Sequence, residues 1–277
     1  MKAGQKVIIH WSKDLAKAMA YVMLGRCELL EDLYIAGEFD VKGIICDIQY
    51  ALPEAMRLLE EFEKSQKELR DQREKHWKIS YLNVRSMKSY NGHREDVKSD
   101  NFIMDADMFG LGETWLEHDN KVDFDGFSSH FANFGTGKGV AGYSKMELIS
   151  QPEAVSNETY SAISMKTKDF NIIFLYLSSN YKKDSLFSLL DRWIEKDVPT
   201  AVLGDVNENF RLKKAAFAKV MNTKGFHQLI TESTCDTGSI IDHLYVNDAM
   251  KDKNISTSID AAYYSDHDII SLLVPKQ

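Results

Sequence analysis

Cysteine is sparse in this 277-residue chain, and the three present, Cys27, Cys46 and Cys235, are widely spaced with no CxxC pair. That excludes a disulfide scaffold and a structural zinc ribbon, and it fits a reducing compartment. Long apolar runs are missing too. The most apolar early stretch, Ala18 to Leu24, follows Lys13, Asp14 and Lys17 and spans seven residues. It is too short for a signal peptide and far from the roughly 20 apolar residues of a membrane span. The chain is therefore expected to be intracellular and soluble, with the sequons at Asn157 and Asn254 unused. A surplus of positive charge is also absent. Lys and Arg number 34 against 42 Asp and Glu, net −8, which argues against binding nucleic acid by bulk charge alone. The acidity leaves room for a nucleic-acid enzyme whose carboxylates surround a metal. No internal repeat or low-complexity tract occurs.

What is present is a globular composition, 44% hydrophobic and 27% charged, which excludes a disordered chain. At roughly 150 residues per domain the length allows one large or two unequal domains. The first break lies near residue 77. Pro53 to His76 reads PEAMRLLEEFEKSQKELRDQREKH, with Pro53 suited to a first helical turn. Met56, Leu59 and Phe62 share a face, and beyond them only Leu69 is apolar. Such a helix starts docked and ends solvated, as a connector would; a charged surface helix within one domain is the other reading. After Trp77 short β-rich runs recur: KISYLNV, MFGLGETW, GVAGYS, FNIIFLYLS, TAVLGDV, IDHLYV and DIISLLV. Helix-like patterns at Asp184 to Lys196 and Arg211 to Lys224 lie between them, with Pro199 and several glycines marking turns. This alternation predicts a layered α/β sandwich. Residues 1–77 carry 12 basic and 14 acidic residues and residues 78–277 carry 22 and 28, so the β-rich part is the acidic part.

Polar residues interrupt or follow those apolar runs at five places: Asn83 in YLNVRS, Glu113 in GLGETW, Asp205 and Asn207 in LGDVNEN, Asp242 in IIDHLYVN, and Asp266 with His267 in YSDHDII. Each would emerge where a buried strand ends, the position where active sites gather on open sheets. Glu113, Asp266 and Asn83 offer hard oxygen ligands suited to Mg²⁺ or Mn²⁺. Asp205 could take a proton from water, and His267 could stabilise or protonate a phosphoryl oxygen. No serine or thiol nucleophile is required.

Taken in order, LNVRS, GETW, the Tyr176-bearing FLYLSSN, GDVN, IDH and SDH resemble the endonuclease/exonuclease/phosphatase superfamily, and within it the apurinic-type endonuclease domains of eukaryotic mobile elements. The resemblance spans about residues 78–277. It implies a four-layered α/β sandwich, two packed mixed β-sheets flanked by helices, hydrolysing phosphodiester bonds in DNA with Mg²⁺ or Mn²⁺ in the nucleus. By that resemblance Glu113 matches the principal metal ligand, Asn83 supports metal and scissile phosphate, and Asp266 is a further metal-site carboxylate. Asp205 matches the residue that orients or deprotonates the attacking water, and Asn207 the amide that fixes it. His267 matches the group that stabilises charge on the pentacovalent phosphate, with Asp242 orienting its ring, and Tyr176 a phenol on the phosphate or leaving oxygen. Two departures stand out. Leu177, Ser178 and Ser179 replace an Arg-Pro-Pro run, and Thr234-Cys235 replaces a Thr-Arg or Thr-His pair; both remove positive charge. His243, next to Asp242, has two readings, catalytic support or a packed strand residue, and the second is favoured since strand neighbours point to opposite faces. The stretch FGTGKGVAGYS is not a phosphate loop, because Gly139 follows Lys138 where Ser or Thr would be required and VAGYS reads as a strand.

Residues 18–39, AMAYVMLGRCELLEDLYIAGEF, read by periodicity as a buried helix and strand. Their wording over roughly residues 1–60 resembles the last motif of RecD-like superfamily-one helicases, in which the arginine matching Arg26 reaches a γ-phosphate. No phosphate loop or Mg²⁺-holding acidic motif precedes it, so no ATPase activity is expected. The implied organisation is a helicase C-terminal remnant over 1–60, a charged connector over 61–77 and an endonuclease-like domain over 78–277, as in helentron-type helicase–endonuclease fusions. Residues 1–52 would then lack the domain they normally pack against. Three functions compete: a DNA endonuclease, a phosphatase or phospholipase on the same scaffold, and a non-catalytic binding remnant.

Overall fold

The structure, a computed structural model, describes residues 7–10, 33–36, 64, 73–135, 137–212 and 215–276, the first two stretches by their backbone alone. The chain divides into two compact units, Met1–Glu74 with Ser99–Asn101, and Lys75–Lys98 with Phe102–Gln277. In the first unit two short strands, β1 (Val7–His10) and β2 (Leu33–Ala36), pair in parallel. The rest of the helicase-like reading, Arg26 included, lies outside the described residues, as does the connector helix except for Lys64 and a stretch at 73–75, all helical.

The chain then runs through β3 (His76–Asn83), α1 (Arg94–Ser99), α2 (Asn101–Met104), β4 (Met108–Gly112), β5 (Ser128–Ala132), β6 (Val140–Ser144), β7 (Glu153–Ser156), β8 (Tyr160–Lys166), β9 (Asn171–Leu177), α3 (Lys183–Trp193), β10 (Thr200–Asp205), α4 (Ala216–Thr223), β11 (Phe226–Gln228), β12 (Asp242–Asn247), α5 (Asp248–Lys251), β13 (Ser256–Asp260) and β14 (Ile269–Pro275). The strands form two six-stranded sheets, β13-β14-β3-β4-β6-β5 and β11-β12-β10-β9-β8-β7. Each is mixed, with one parallel pair, β3/β4 in the first sheet and β9/β10 in the second.

Alternation along the strands builds the layers. Ile79 and Tyr81 on β3, Phe174 on β9, Leu203 on β10, Leu244 on β12 and Leu272 on β14 meet in one buried core between the sheets. The intervening residues face outward. On the second sheet Leu175, Val202 and Tyr245 receive Leu186, Leu190 and Trp193 of α3 and Phe217 and Met221 of α4. On the first, Leu82, Phe109 and Tyr143 pack with Val97 of α1 and Ile103 of α2. Helix, sheet, sheet and helix make the expected four-layered sandwich, and β9 is a continuous apolar run because both of its faces are covered. The described residues include no helix long and apolar enough to cross a membrane.

The helices are shorter than their sequence patterns. Leu186, Leu189, Leu190 and Trp193 supply the buried stripe of α3, and the chain turns extended at Ile194 rather than continuing to Lys196. Helix α4 starts at Ala216, not Arg211, because the Glu208 carboxylate accepts the backbone N–H of Phe217 at 2.9 Å and so fixes the first turn. Five strands of the sandwich fall outside the apolar runs: β5, β7, β8, β11 and β13. Of those at the sheet margins, β5, β7 and β13 mix exposed and half-buried positions, which blurs the strand period, and β11 is only three residues long.

The inner face of β4 is nearly bare. A Cβ on Gly112 would stand 1.9 Å from the Tyr81 hydroxyl oxygen. Gly112→Ala should therefore lower stability by about 1–3 kcal/mol through overpacking, measured by urea unfolding, and combining it with Tyr81→Phe should recover part of the loss.

Candidate active site

The two parallel pairs end at the same edge of the sandwich. In the first sheet Asn83 closes β3 opposite Gly112 at the end of β4, and Glu113 follows at once. In the second, Tyr176 on β9, Asp205 on β10 and Asp242 on β12 stand side by side in register. The sequence runs that end in polar residues thus end at one place. Asn83 is fully buried, and its Nδ2 donates to Glu113 Oε1 at 3.1 Å and to Asp205 Oδ2 at 2.8 Å. Its Oδ1 accepts from the Arg85 backbone N–H at 3.1 Å, so the amide nitrogen faces the two carboxylates.

Asp205 is held on its other side by Asn207, whose backbone N–H donates to Oδ1 at 2.8 Å and whose Nδ2 donates to the Leu177 carbonyl at 2.8 Å. His267 Nδ1 meets Asp242 Oδ2 at 2.8 Å, and its Nε2 stands 4.0 Å from Asp266 Oδ1. Ligand atoms of Asp205, Asp242 and His267 all lie within 4.8 Å of one another. Asp266 Oδ2 pairs with Arg85 Nη1 at 2.7 Å. All eight residues singled out from the sequence therefore occupy one edge, and His243 does not join them. Its ring lies on the helix side of β12, with Nδ1 on the Tyr245 hydroxyl at 3.0 Å and Nε2 on the Glu208 carbonyl at 2.9 Å.

Charge is concentrated here and little of it is solvated. Burial, and then the neighbouring Asp242, raise the Asp205 carboxyl well above the ordinary carboxylate range. Burial opposes the charged form of His267, but Asp242, Asp205 and Asp266 outweigh it and raise the ring to about 10. Tyr176 is raised by burial and by the charges of Glu113 and Asp205. Asp242 Oδ1 and Asp266 Oδ1 are buried with no hydrogen-bond partner. Unpaired carboxylate oxygens among further carboxylates are the donors that a hard divalent cation such as Mg²⁺ or Mn²⁺ takes.

The backbone is bent to achieve this. Arg85, Glu113, Trp115 and Asn207 all have left-handed φ, between 49° and 58°, at a cost of about 1–3 kcal/mol for a strained residue. Asparagine tolerates this region, whereas Glu113 depends on its surroundings. Trp115 Nε1 donates to Glu113 Oε2 at 3.1 Å. The glycine-rich hairpin grips the same segment: Trp115 N–H donates to the Lys138 carbonyl at 2.9 Å and Thr114 N–H to the Gly139 carbonyl at 3.3 Å. Gly139 has φ +98°, and a Cβ there would meet Thr114 Oγ1 at 2.5 Å. The hairpin thus supports Glu113 and leads into strand β6.

No protein-family model and no curated protein matches the chain. Solved structures do. An AP endonuclease from Archaeoglobus fulgidus is 18% identical, with a TM-score of 0.57 over 72% of this chain and 99% of that one. The endonuclease domain of TRAS1, a telomere-specific non-LTR retrotransposon, is 14% identical, with a TM-score of 0.54 over 72% and 98%. An endonuclease/exonuclease/phosphatase family protein from Leptotrichia buccalis is 14% identical, with a TM-score of 0.51 over 72% and 100%. The chain has the endonuclease/exonuclease/phosphatase fold. In this endonuclease/exonuclease/phosphatase sandwich the clustered carboxylates crown the ends of the parallel strand pairs.

Several supporting residues of the sandwich escape a sequence reading although they lie inside its motifs. Arg85 belongs to LNVRS, Trp115 to GETW and Ser265 to YSDH, where Ser265 Oγ donates to the Asn83 carbonyl at 2.7 Å and accepts from His267 N–H at 3.2 Å. Thr234 Oγ1 accepts the Asp242 N–H at 3.1 Å. Only their neighbours in space reveal these tasks.

The two buried histidines should differ in charge. In metal-free protein at pH 8, ¹⁵N spectra should report His267 as imidazolium and His243, lowered by its burial, as neutral. Asp242→Asn should shift the His267 titration downward. Because its folded value exceeds the ordinary 6.5, His267 contributes stability below pH 6.5 that is lost as pH rises through about 10. An unchanged His267 titration in Asp242→Asn would contradict this arrangement.

Proposed function

We propose that the chain is a metal-dependent phosphodiester hydrolase, and more finely a DNA endonuclease of mobile-element origin that nicks its substrate. The observation that carries this reading is the joining, through Asn83, of Glu113 with the buried Asp205–Asp242–His267 cluster. Glu113 and Asp266 are the carboxylates assigned to the metal, with Asn83 at their side. A Mg²⁺ or Mn²⁺ ion there would supply Lewis-acid charge to a phosphoryl oxygen.

The remaining work falls to the protein. Asp205, in its carboxylate form and fixed by Asn83 and Asn207, orients a water and receives its proton as the oxygen attacks phosphorus; the burial that raises its pKa makes it a stronger base than an exposed carboxylate. The bond to the leaving oxygen breaks on the opposite side. His267, held cationic by Asp242, faces the non-bridging oxygens and stabilises their charge in the pentacovalent state. Tyr176, with its phenol kept protonated, donates toward the phosphate or the leaving oxygen. No covalent enzyme intermediate is needed. DNA as substrate and a mobile-element origin draw support from the shared fold with the TRAS1 and Archaeoglobus fulgidus endonucleases. A phosphatase or phospholipase is the second reading. It is favoured by the net acidity of residues 78–277 and by the uncharged Leu177, Ser178 and Ser179 after Tyr176.

Supercoiled plasmid with Mg²⁺ should be converted to open circles, and EDTA should stop the conversion. Asp205→Ala and His267→Ala should each reduce nicking by roughly 100- to 10,000-fold with unfolding midpoints retained. Turnover of a phosphate monoester without nicking would support the second reading, and inactivity on both substrates would overturn the hydrolase assignment.

A further inference from the structure

The loop between β3 and α1 leaves the candidate site and returns to it. Ser86 accepts the His93 N–H at 2.9 Å, which closes residues 86–93 into a compact excursion. Its base is fastened beside Glu113, where Met87 N–H donates to the Thr114 carbonyl at 2.8 Å. At its tip Tyr90 is 84% exposed. One exposed ring is ordinary on a protein surface; the place of this one, on a loop anchored beside Glu113, is what bears on function.

Two further observations indicate what it would meet. Residues 84–94, VRSMKSYNGHR, carry Arg85, Lys88 and Arg94 and no acidic side chain, against the acidic trend of residues 78–277; Arg85 pairs with Asp266 and Arg94 with Glu95, pairs that are partly exposed and open to exchange for phosphate oxygens. Across the rim, the segment leading into Asp266 and His267 brings a second aromatic group. The Tyr264 ring lies 5.7 Å from His93, and Tyr263, itself 40% exposed, lies 5.0 Å from Tyr264 edge to face. Exposed aromatic faces within a basic run bind unstacked bases, with the cations on the backbone phosphates.

We propose that Tyr90 and Tyr263, linked through His93 and Tyr264, form a base-stacking platform and that the preferred substrate is a nucleic acid with unpaired bases next to the phosphate being attacked. This rests on the phosphodiesterase reading and narrows its substrate class. A phosphate monoester or a lipid headgroup has no base for these rings, and in intact duplex the base faces are already covered.

The test is binding in EDTA, which separates it from chemistry. Full-length protein is titrated into a fluorescent single strand, the matching duplex, and a single strand containing 2-aminopurine. The single strand should bind more tightly than the duplex, and 2-aminopurine fluorescence should be quenched. Tyr90→Ala should weaken single-strand binding by about tenfold or more, the size expected for one lost base–aromatic stack. Tyr90→Phe should preserve it. Ile149→Ala, which removes another large exposed side chain, 64% exposed, on the loop after β6 at the opposite end of the sandwich, should bind as wild type does. Equal binding by Tyr90→Ala and wild type, or a loss that Tyr90→Phe shares, would overturn the platform. Turnover of a small phosphodiester by the wild-type protein with Mg²⁺ is measured separately. Turnover with Tyr90-independent binding sinks the platform alone. Tyr90-dependent binding without turnover supports the platform and sinks the hydrolase reading.

Discussion

The buried amide of Asn83 holds the candidate site together. It stands at the end of the first sheet and donates both of its Nδ2 hydrogens, one to Glu113 and one to Asp205 on the second sheet. Two carboxylates in a water-poor setting repel, and each needs a donor to remain there. One neutral group with two hydrogens satisfies both without adding charge. It also ties together the edges of the two sheets, as the Asp242–His267 bond does further along. The rest of the arrangement depends on this join: Asn207 fixes Asp205, Trp115 fixes Glu113, and Asp242 fixes His267.

That tie explains why strain collects where it does. Each parallel pair delivers its polar residue at a strand end, but the side chains must turn inward toward the other sheet. Left-handed backbone at Glu113 and Asn207 accomplishes the turn. The hairpin carrying Gly139 and the pairing of Cys235 with His267 keep the turned segments from relaxing. The structural cost of the site is therefore borne by loops whose own sequences look ordinary.

Charge tells a similar story on a larger scale. The domain is acidic overall, and part of that acidity is the buried cluster itself. The stretch that leaves the site after Asn83 runs basic instead. Net charge therefore does not describe every segment, because interactions between exposed charges are screened beyond about 10 Å.

Much of the fold was legible in the sequence. Short runs rich in β-branched and aromatic residues, such as FNIIFLYLS, read as strands, the helix stripes were spaced for one face, and five polar strand ends marked the functional edge. Marginal strands such as Glu153–Ser156 were illegible because half their residues face water, and the true start of α4 depends on Glu208, a cap eight residues upstream. Side-chain chemistry and its order along the chain were thus set by sequence alone, since strand ends and polar types are local properties. Which atoms meet was decided only by tertiary structure. The Asn83 amide pointing at two carboxylates, the opposite settings of His243 and His267, and the pairing of Arg85 with Asp266 all depend on residues far apart in the chain. Hydrogen bonds and burial act across space, and no local pattern encodes them.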